Sequence, residues 1–151
     1  MEENLEYFGE GMKNPEFQSC LTKMRKHISQ FNVDEMAFAH GFIRAHAAQT
    51  HAAKFHFMDR ASERVFTLAD AREALACGRV VEVHNERKEW RALVRDRKGT
   101  CVVLSLESWD VITVYYNNPA DGHFTLDKGL YASGRMLDVV QVVKSLRRVA
   151  A

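Results

Sequence analysis

The spacing of apolar residues changes along the chain, and the first third has the period of helices. Over residues 14–28 and 34–43, apolar side chains recur every three or four positions, which predicts two N-terminal helices. Asn14, followed by proline, suits the N-cap of the first helix. Asn32 or Asp34 suits the start of the second.

A third helix is predicted around a row of polar residues. His56, Arg60 and Arg64 are four positions apart, so on a helix they share one face. A histidine and two guanidiniums in a row form a plausible set for proton transfer and phosphate binding. An exposed polar helix face has the same spacing, and the acidic residues Asp59 and Glu63 between them offer ordinary ion-pair partners.

After this row the pattern turns to strands. Thr67 and Asp70 form a variant capping box for a short helix that Gly78 ends. Alternating apolar and polar residues then predict a four-stranded antiparallel meander, with one face burying the valines and Trp90 beneath the helices. The predicted strands cover residues 79–86, 88–96, 100–108 and 110–118.

The chain closes with a predicted amphipathic helix over residues 132–150, whose apolar face carries Val139, Val142, Leu146 and Val149. The predicted fold is therefore α+β, with N-terminal helices, helices packed on a four-stranded antiparallel sheet, and a C-terminal helix. We expect residues 1–50 to be a helical extension packed on an α+β domain formed by residues 51–151, because fifty residues make a thin core.

Composition and charge restrict the function only loosely. Apolar residues make up 46% and charged residues 27% of the 151, as in an ordinary soluble domain. The net charge is only +1, with its small basic excess after residue 50, so an anionic partner is permitted and not required. Three scattered cysteines without a CxxC pair favour reduced thiols in a cytoplasmic protein, with no metal site. We expect no signal peptide, because the sequence MEENLEYF is acidic and has no apolar segment, and no membrane span, because no run approaches about 18 apolar residues. We expect no cofactor, since Walker, GxGxxG, HExxH and GxSxG motifs are missing.

Four motifs in order resemble a known group of proteins. They are the H-x3-R-x3-R row, an acid-containing helix ending in Ala-Cys-Gly, a strand entered by Val-Val-Glu, and a last strand with Ile-Thr-Val-Tyr. This order resembles small bacterial domains of unknown function placed near the BrnT and RelE toxin ribonucleases, in the barnase–EndoU–colicin–RelE fold class. The resemblance covers about residues 51–118. Arg64-Val65-Phe66 departs from the group's usual Arg-Gly-Ile, and residues 1–50 and the C-terminal helix have no counterpart.

The resemblance implies a toxin-like endoribonuclease that cleaves RNA without a metal, through attack of the ribose 2′-hydroxyl on the adjacent phosphate. His56 is then the general acid or base, and Arg60 and Arg64 stabilise the phosphate. Thr113 and Tyr115 on the last strand contact phosphate, ribose or base. Secondary candidates for phosphate contact are His84, Lys88 and Arg91.

Other interpretations stay open. Arginines most often pair with acids, His56 can be a core histidine between Phe55 and Phe57, and Thr113 and Tyr115 are good strand formers. The same fold without catalysis suits a binding module, such as a phage-type inhibitor or accessory factor bound to a protein or nucleic acid. A dimeric structural protein is a third possibility. The expected partners are RNA and a cognate antitoxin or target protein, and no membrane.

Overall fold

The structure is a computed structural model, and it describes residues 24–52, 57–59, 64–120, 131 and 137–150. Of residues 52, 57–59 and 147–150 it describes the backbone alone. No helix within these residues is long and apolar enough to cross a membrane.

The described part of the chain contains three α-helices and eight strands. The helices are α1 (Val33–His46), α2 (Leu68–Cys77) and α3 (Val139–Ala150). The strands are β1 (Arg25–His27), β2 (His51–Ala52), β3 (Phe57–Asp59), β4 (Arg64–Phe66), β5 (Arg79–Glu86), β6 (Glu89–Arg95), β7 (Thr100–Ser105) and β8 (Asp110–Tyr116).

The main sheet has the strand order β1-β5-β6-β7-β8-β2. Five of these strands, β1 and β5 to β8, are antiparallel to their neighbours, while β2 pairs parallel to β8. The predicted α+β class, with helices packed on an antiparallel sheet, is confirmed. The sheet has one more antiparallel strand than predicted, because β1 pairs with β5 through Lys26 opposite Val83.

Capping residues define where α1 and α2 begin. Asn32 accepts a hydrogen bond from the Glu35 amide, and the Glu35 carboxylate accepts one from the Asn32 amide. Thr67 and Asp70 form the same reciprocal pair before α2. Each box satisfies two backbone donors that have no partner within the helix. The predicted starts of both helices are confirmed.

One face of the sheet holds the main core. Val83, Ala92, Val94, Val102 and Val114 are all nearly inaccessible to solvent and form one cluster with buried residues of the helices. Trp90 belongs to the same cluster, so the predicted burial on the helix side is confirmed for Trp90 and for these valines, and is wrong for Val81, which the irregularity between Val80 and Glu82 turns to the other face. This face is called the helix face. The opposite face has a smaller cluster, formed by Val81, Leu93 and Cys101.

Two helical predictions are wrong. The helix expected to carry the His56–Arg60–Arg64 row is replaced, where the chain is described, by β3 and β4, which pair antiparallel with Asp59 opposite Arg64. Aromatic and β-branched residues such as Phe66 and Val65 favour a strand over a helix. The helix expected to extend to Ile28 also fails at its end, because Arg25–His27 pairs with β5 and Ile28–Gln30 is a short 3-10 turn.

Residues 24–49, the described part of the chain before position 50, belong to the same core as the rest. The Lys26 ammonium is buried and lies 2.6 Å from a Glu35 carboxylate oxygen in α1. Glu35 in turn accepts a hydrogen bond from the Val139 amide at the start of α3. Three distant parts of the chain meet at this ion pair. The domain boundary at residue 50 stays a prediction.

Candidate functional site

A basic cavity lies at the end of the sheet where β5 begins and β6 ends. Its volume is about 680 Å³, and four arginines line it. We call it the arginine cleft, and its arginines are Arg44, Arg79, Arg95 and Arg97. Asp96 is the one carboxylate among the described lining residues, so these side chains leave a charge of +3 (four minus one).

Two of these arginines lie side by side on adjacent strands. Arg79 and Arg95 are direct partners in the β5–β6 ladder, so their side chains leave the same face of the sheet. Like charges in this position repel each other and destabilise a sheet. An anion bound between them removes that repulsion, so the pair is better suited to a bound state than to an empty one.

A β-bulge in β5 creates this opposition. The register is Glu82 opposite Leu93 and then Val80 opposite Val94, which leaves Val81 as the extra residue. Val81 also lines the arginine cleft. Bulges of this kind redirect side chains and are frequent beside functional sites.

Within the described part of the chain, two arginines of the cleft donate hydrogen bonds to backbone carbonyls. Arg44 donates to the Gly78 carbonyl at 3.1 Å, and Arg95 donates to the Asn118 carbonyl at 2.8 Å. None of the four arginines forms an ion pair with a described acidic residue. Asp96 directs one oxygen to the backbone amides of Lys98 and Thr100, both at 2.9 Å. The guanidiniums therefore keep donors available for an added anion.

Close packing holds the wall of the cleft. Gly78 follows α2, and a Cβ atom there would lie 2.4 Å from the Ala74 carbonyl oxygen and 2.8 Å from the Arg95 carbonyl oxygen. Only glycine fits at this distance. The absence of a side chain lets α2 approach β6 and places the Gly78 carbonyl where Arg44 reaches it.

The positive charge of the cleft affects the protonation of His40. It lines the cavity one helical turn before Arg44 on α1. Burial and the positive charges of Arg44 and Arg79 hold the pKa of His40 below its usual 6.5. At neutral pH the imidazole is therefore uncharged and able to accept a proton. Its Nε2 atom is buried without a hydrogen-bond partner in the described part of the chain.

The predicted row of His56, Arg60 and Arg64 is described only at its last member. His56 and Arg60 lie outside the described residues. Arg64 is exposed, and its guanidinium stacks on the ring of Tyr116 at 3.8 Å. Arg64 also lines a second cavity of about 300 Å³, which shares Asp96 with the arginine cleft. Three carboxylates line that second cavity, so it is less suited to an anion: Asp70, Glu73 and Asp96.

Thr113 and Tyr115 are not brought to Arg64. Tyr116, on which Arg64 stacks, packs against the helix-face core. Tyr115 is the next residue of β8 and packs on the opposite face against the smaller cluster that includes Cys101. Burial there raises the pKa of Tyr115. Thr113 is exposed opposite Val103 on that same face, so these two residues and Arg64 belong to different sides of the sheet.

The secondary candidates His84 and Arg91 do lie together, in a network of ion pairs. They are direct partners in the β5–β6 ladder, and both approach Glu86, at 3.7 Å and 3.1 Å. Arg91 also pairs with Glu89 at 2.8 Å. Lys88 lies apart from them, in the tight turn between the strands, with a left-handed backbone (φ 67°).

Glu82 extends this network into the protein. Its carboxylate lies 3.2 Å from His84 Nδ1 and accepts a hydrogen bond from the Tyr131 hydroxyl. Burial works to raise the pKa of Glu82, but the nearby His84 imidazole, the hydrogen bond from Tyr131 and the charge of Arg25 outweigh it and lower the pKa. The positive charge of Arg91 and any charge on His84 are thus matched by carboxylates within the protein, unlike the charges of the cleft.

The sequence interpretation missed the arginine cleft. Its four arginines come from α1, β5, β6 and the turn after β6, and Arg95 and Arg97 are the only pair close in sequence. Near the β5–β6 turn, Glu86 lies opposite Glu89, and the same register without a shift would set Arg79 opposite Asp96. Arg79 and Asp96 have opposite charges, so that register would predict an ion pair and no anion site. The bulge at Val81, which sequence periodicity does not reveal, replaces it with Arg79 opposite Arg95.

Comparisons with protein-family models, curated proteins and solved structures found no match. Within the described residues, no group of three or more His, Cys, Asp or Glu side chains is arranged to hold a metal ion.

Proposed function

We propose that this protein binds RNA, and that the arginine cleft holds the phosphates. The observation that carries the proposal is the set of four arginines that share one cavity and form no ion pair with the described acids. Guanidinium groups bind phosphate through two parallel hydrogen bonds, which makes arginine the favoured residue for this ligand. A binding module of this kind requires no catalytic group.

The test compares two double variants that each remove two positive charges, one pair without ion-pair partners among the described acids and one pair that contacts carboxylates. The double variant Arg79→Gln/Arg97→Gln removes two charges from the cleft, whereas Arg91→Gln/Lys98→Gln removes two that pair with carboxylates. Fluorescence anisotropy with a labelled single-stranded RNA should show weaker binding for the first variant only. The slope of log affinity against log salt concentration should also become shallower in that variant, by roughly 0.7 per lost phosphate contact. Equal losses in both variants would contradict binding in the cleft.

A second readout locates the ligand. Cys77 is exposed and lines the arginine cleft. Bound RNA should slow its alkylation by iodoacetamide, as measured by peptide mass spectrometry. Cys101 is the internal control, since it is buried and burial raises its pKa to about 12. Alkylation of Cys77 at an unchanged rate under saturating RNA would place the RNA elsewhere.

RNA cleavage is a second candidate function, and His40 favours it. A neutral imidazole beside several arginines combines a proton acceptor with groups that stabilise negative charge, as cleavage by a 2′-hydroxyl requires. The RelE/barnase-like fold and the catalytic roles of His56, Arg60 and Arg64 stay predictions from the resemblance, as does a cognate antitoxin. The toxin-like ribonuclease proposal requires catalysis in addition to binding.

The cleavage assay separates the two candidate histidines. Wild-type protein and the variants His40→Ala and His56→Ala are incubated with RNA in EDTA, and the products are resolved on a gel. Loss of cleavage in His40→Ala alone supports catalysis in the arginine cleft, and loss in His56→Ala alone supports the predicted row. Intact RNA with wild-type protein would refute the ribonuclease proposal and leave the binding proposal in place.

A further inference from the structure

The arginine cleft has the size and lining of a pocket for one nucleotide. Its volume of about 680 Å³ lies within the roughly 300–1,000 Å³ typical of small-molecule sites. Beside the arginines, the described lining includes four apolar residues: Ile28, Val80, Val81 and Pro119. An apolar wall next to a cationic one fits a ligand with a flat base or sugar at one end and a phosphate at the other.

The charge in the cleft exceeds what one internal phosphate of RNA balances. A phosphodiester carries one negative charge, whereas a terminal phosphate carries about 1.5 to 2 at neutral pH and presents three acceptor oxygens. The described lining side chains sum to +3, with His40 neutral. A terminal phosphate therefore matches the site better than a phosphate within the strand.

The opposition of Arg79 and Arg95 adds a geometric reason. Direct partners across antiparallel strands have Cβ atoms about 5 Å apart, which is close enough for both arginine side chains to extend to a single phosphate. A phosphodiester offers two free oxygens, whereas a terminal phosphate offers three and can accept paired hydrogen bonds from two guanidiniums at once.

We propose that the arginine cleft binds the terminal phosphomonoester of a nucleotide, with Arg79 and Arg95 on the phosphate. This inference rests on the proposed binding of RNA and specifies it, because it makes the end of the strand the ligand. A phosphorylated RNA end and a free mononucleotide share this chemistry. The experiment therefore includes both.

Four ligands are titrated into wild-type protein by anisotropy or by competition. They are one ten-nucleotide RNA with hydroxyl ends, the same RNA with a 5′-phosphate, the same RNA with a 3′-phosphate, and adenosine 5′-monophosphate. We expect one phosphorylated end to tighten binding at least tenfold over the hydroxyl form, as a charge-assisted pair of hydrogen bonds should. Arg79→Gln should abolish that difference, and Arg91→Gln should preserve it.

The outcomes separate this inference from the proposed function. Equal affinity for hydroxyl and phosphorylated RNA overturns the terminal-phosphate inference and leaves RNA binding in place. Binding of the mononucleotide without binding of any RNA supports the pocket and overturns RNA as the partner. Binding of a phosphorylated RNA that is tighter than binding of both the hydroxyl RNA and the mononucleotide supports both. No binding of any of the four ligands overturns both.

Discussion

Removing Arg79 should make the ligand-free protein more stable, which is unusual for a residue in an ordered strand. Arg79 lies directly opposite Arg95 and has no ion-pair partner among the described acids. Arg95 donates to the Asn118 carbonyl, so its substitution would also lose a hydrogen bond. Arg79→Gln is therefore the cleaner variant, because it removes the repulsion and little else.

The size of the gain follows from the spacing of the two strands. Cβ atoms of such partners lie about 5 Å apart, and two guanidinium charges that keep this spacing in a medium close to water repel by at most about 0.8 kcal/mol, which physiological salt reduces to about 0.4 kcal/mol. For a chain of 151 residues, such a gain raises the melting temperature by roughly 1–3 °C. The gain should disappear in 1 M salt, where the screening length falls to about 3 Å.

The assay is thermal unfolding in a low-salt buffer without multivalent anions. Arg91→Gln is the matched control, because it removes the same charge from β6 and breaks contacts with Glu86 and Glu89. Its melting temperature should stay equal or fall slightly. Added inorganic phosphate should stabilise wild-type protein more than Arg79→Gln. The reasoning is refuted if Arg79→Gln melts below wild-type protein at low salt, or if phosphate stabilises both equally.

Two further predictions concern the framework of the cleft and the ion pair in the core. Gly78→Ala should lower the free energy of unfolding in urea by about 1–3 kcal/mol, because its Cβ atom would lie 2.4 Å from the Ala74 carbonyl oxygen. An unchanged free energy of unfolding would contradict the close packing. Burial works to raise the pKa of Glu35, but the hydrogen bond from Lys26 and those from backbone amides outweigh it and lower the pKa. The stability that this carboxylate provides should therefore be complete above the ordinary glutamate pKa of about 4.3 and be lost as the pH falls further. Glu35→Gln should lower the free energy of unfolding by about 3–5 kcal/mol at pH 7, because it removes the carboxylate that balances the buried Lys26 ammonium, whose bond to the Leu137 carbonyl brings no negative charge. Lys26→Met added to it should recover part of that loss. Urea unfolding of the single and double variants at pH 7 and pH 4 tests both statements, and an unchanged single variant would show that the pair contributes little.

Periodicity predicts elements well where one pattern extends over many residues. The alternation in residues 79–86 matches β5 at both ends, and the capping residues Asn32 and Thr67 mark the starts of α1 and α2. β1 is only three residues long and follows apolar positions at helical spacing, so its pairing with β5 is set by tertiary contacts. Short strands of this kind leave too few residues for a period to be detected.

The candidate site was harder to predict than the elements that carry it. The members of the row His56, Arg60 and Arg64 are close in sequence, whereas the arginines of the cleft are separated by up to 53 positions (97 minus 44). Their convergence depends on a one-residue shift at Val81 and on the tight contact at Gly78. Both are consequences of the folded chain, and neither leaves a periodic signal.

The small net charge of this protein does not argue against an anionic ligand. Four cations, Arg25, Lys26, Arg91 and Lys98, contact carboxylates and contribute little field at a distance. The arginines of the cleft have no such partner among the described acids, and an ion in the cavity responds to charges within about 8 Å rather than to the total of +1. Binding should therefore depend on salt as strongly as in a more basic protein. Removing paired cations should lower the net charge without weakening the binding. If the net charge of the protein governed the affinity for the anion, the same change would weaken the binding.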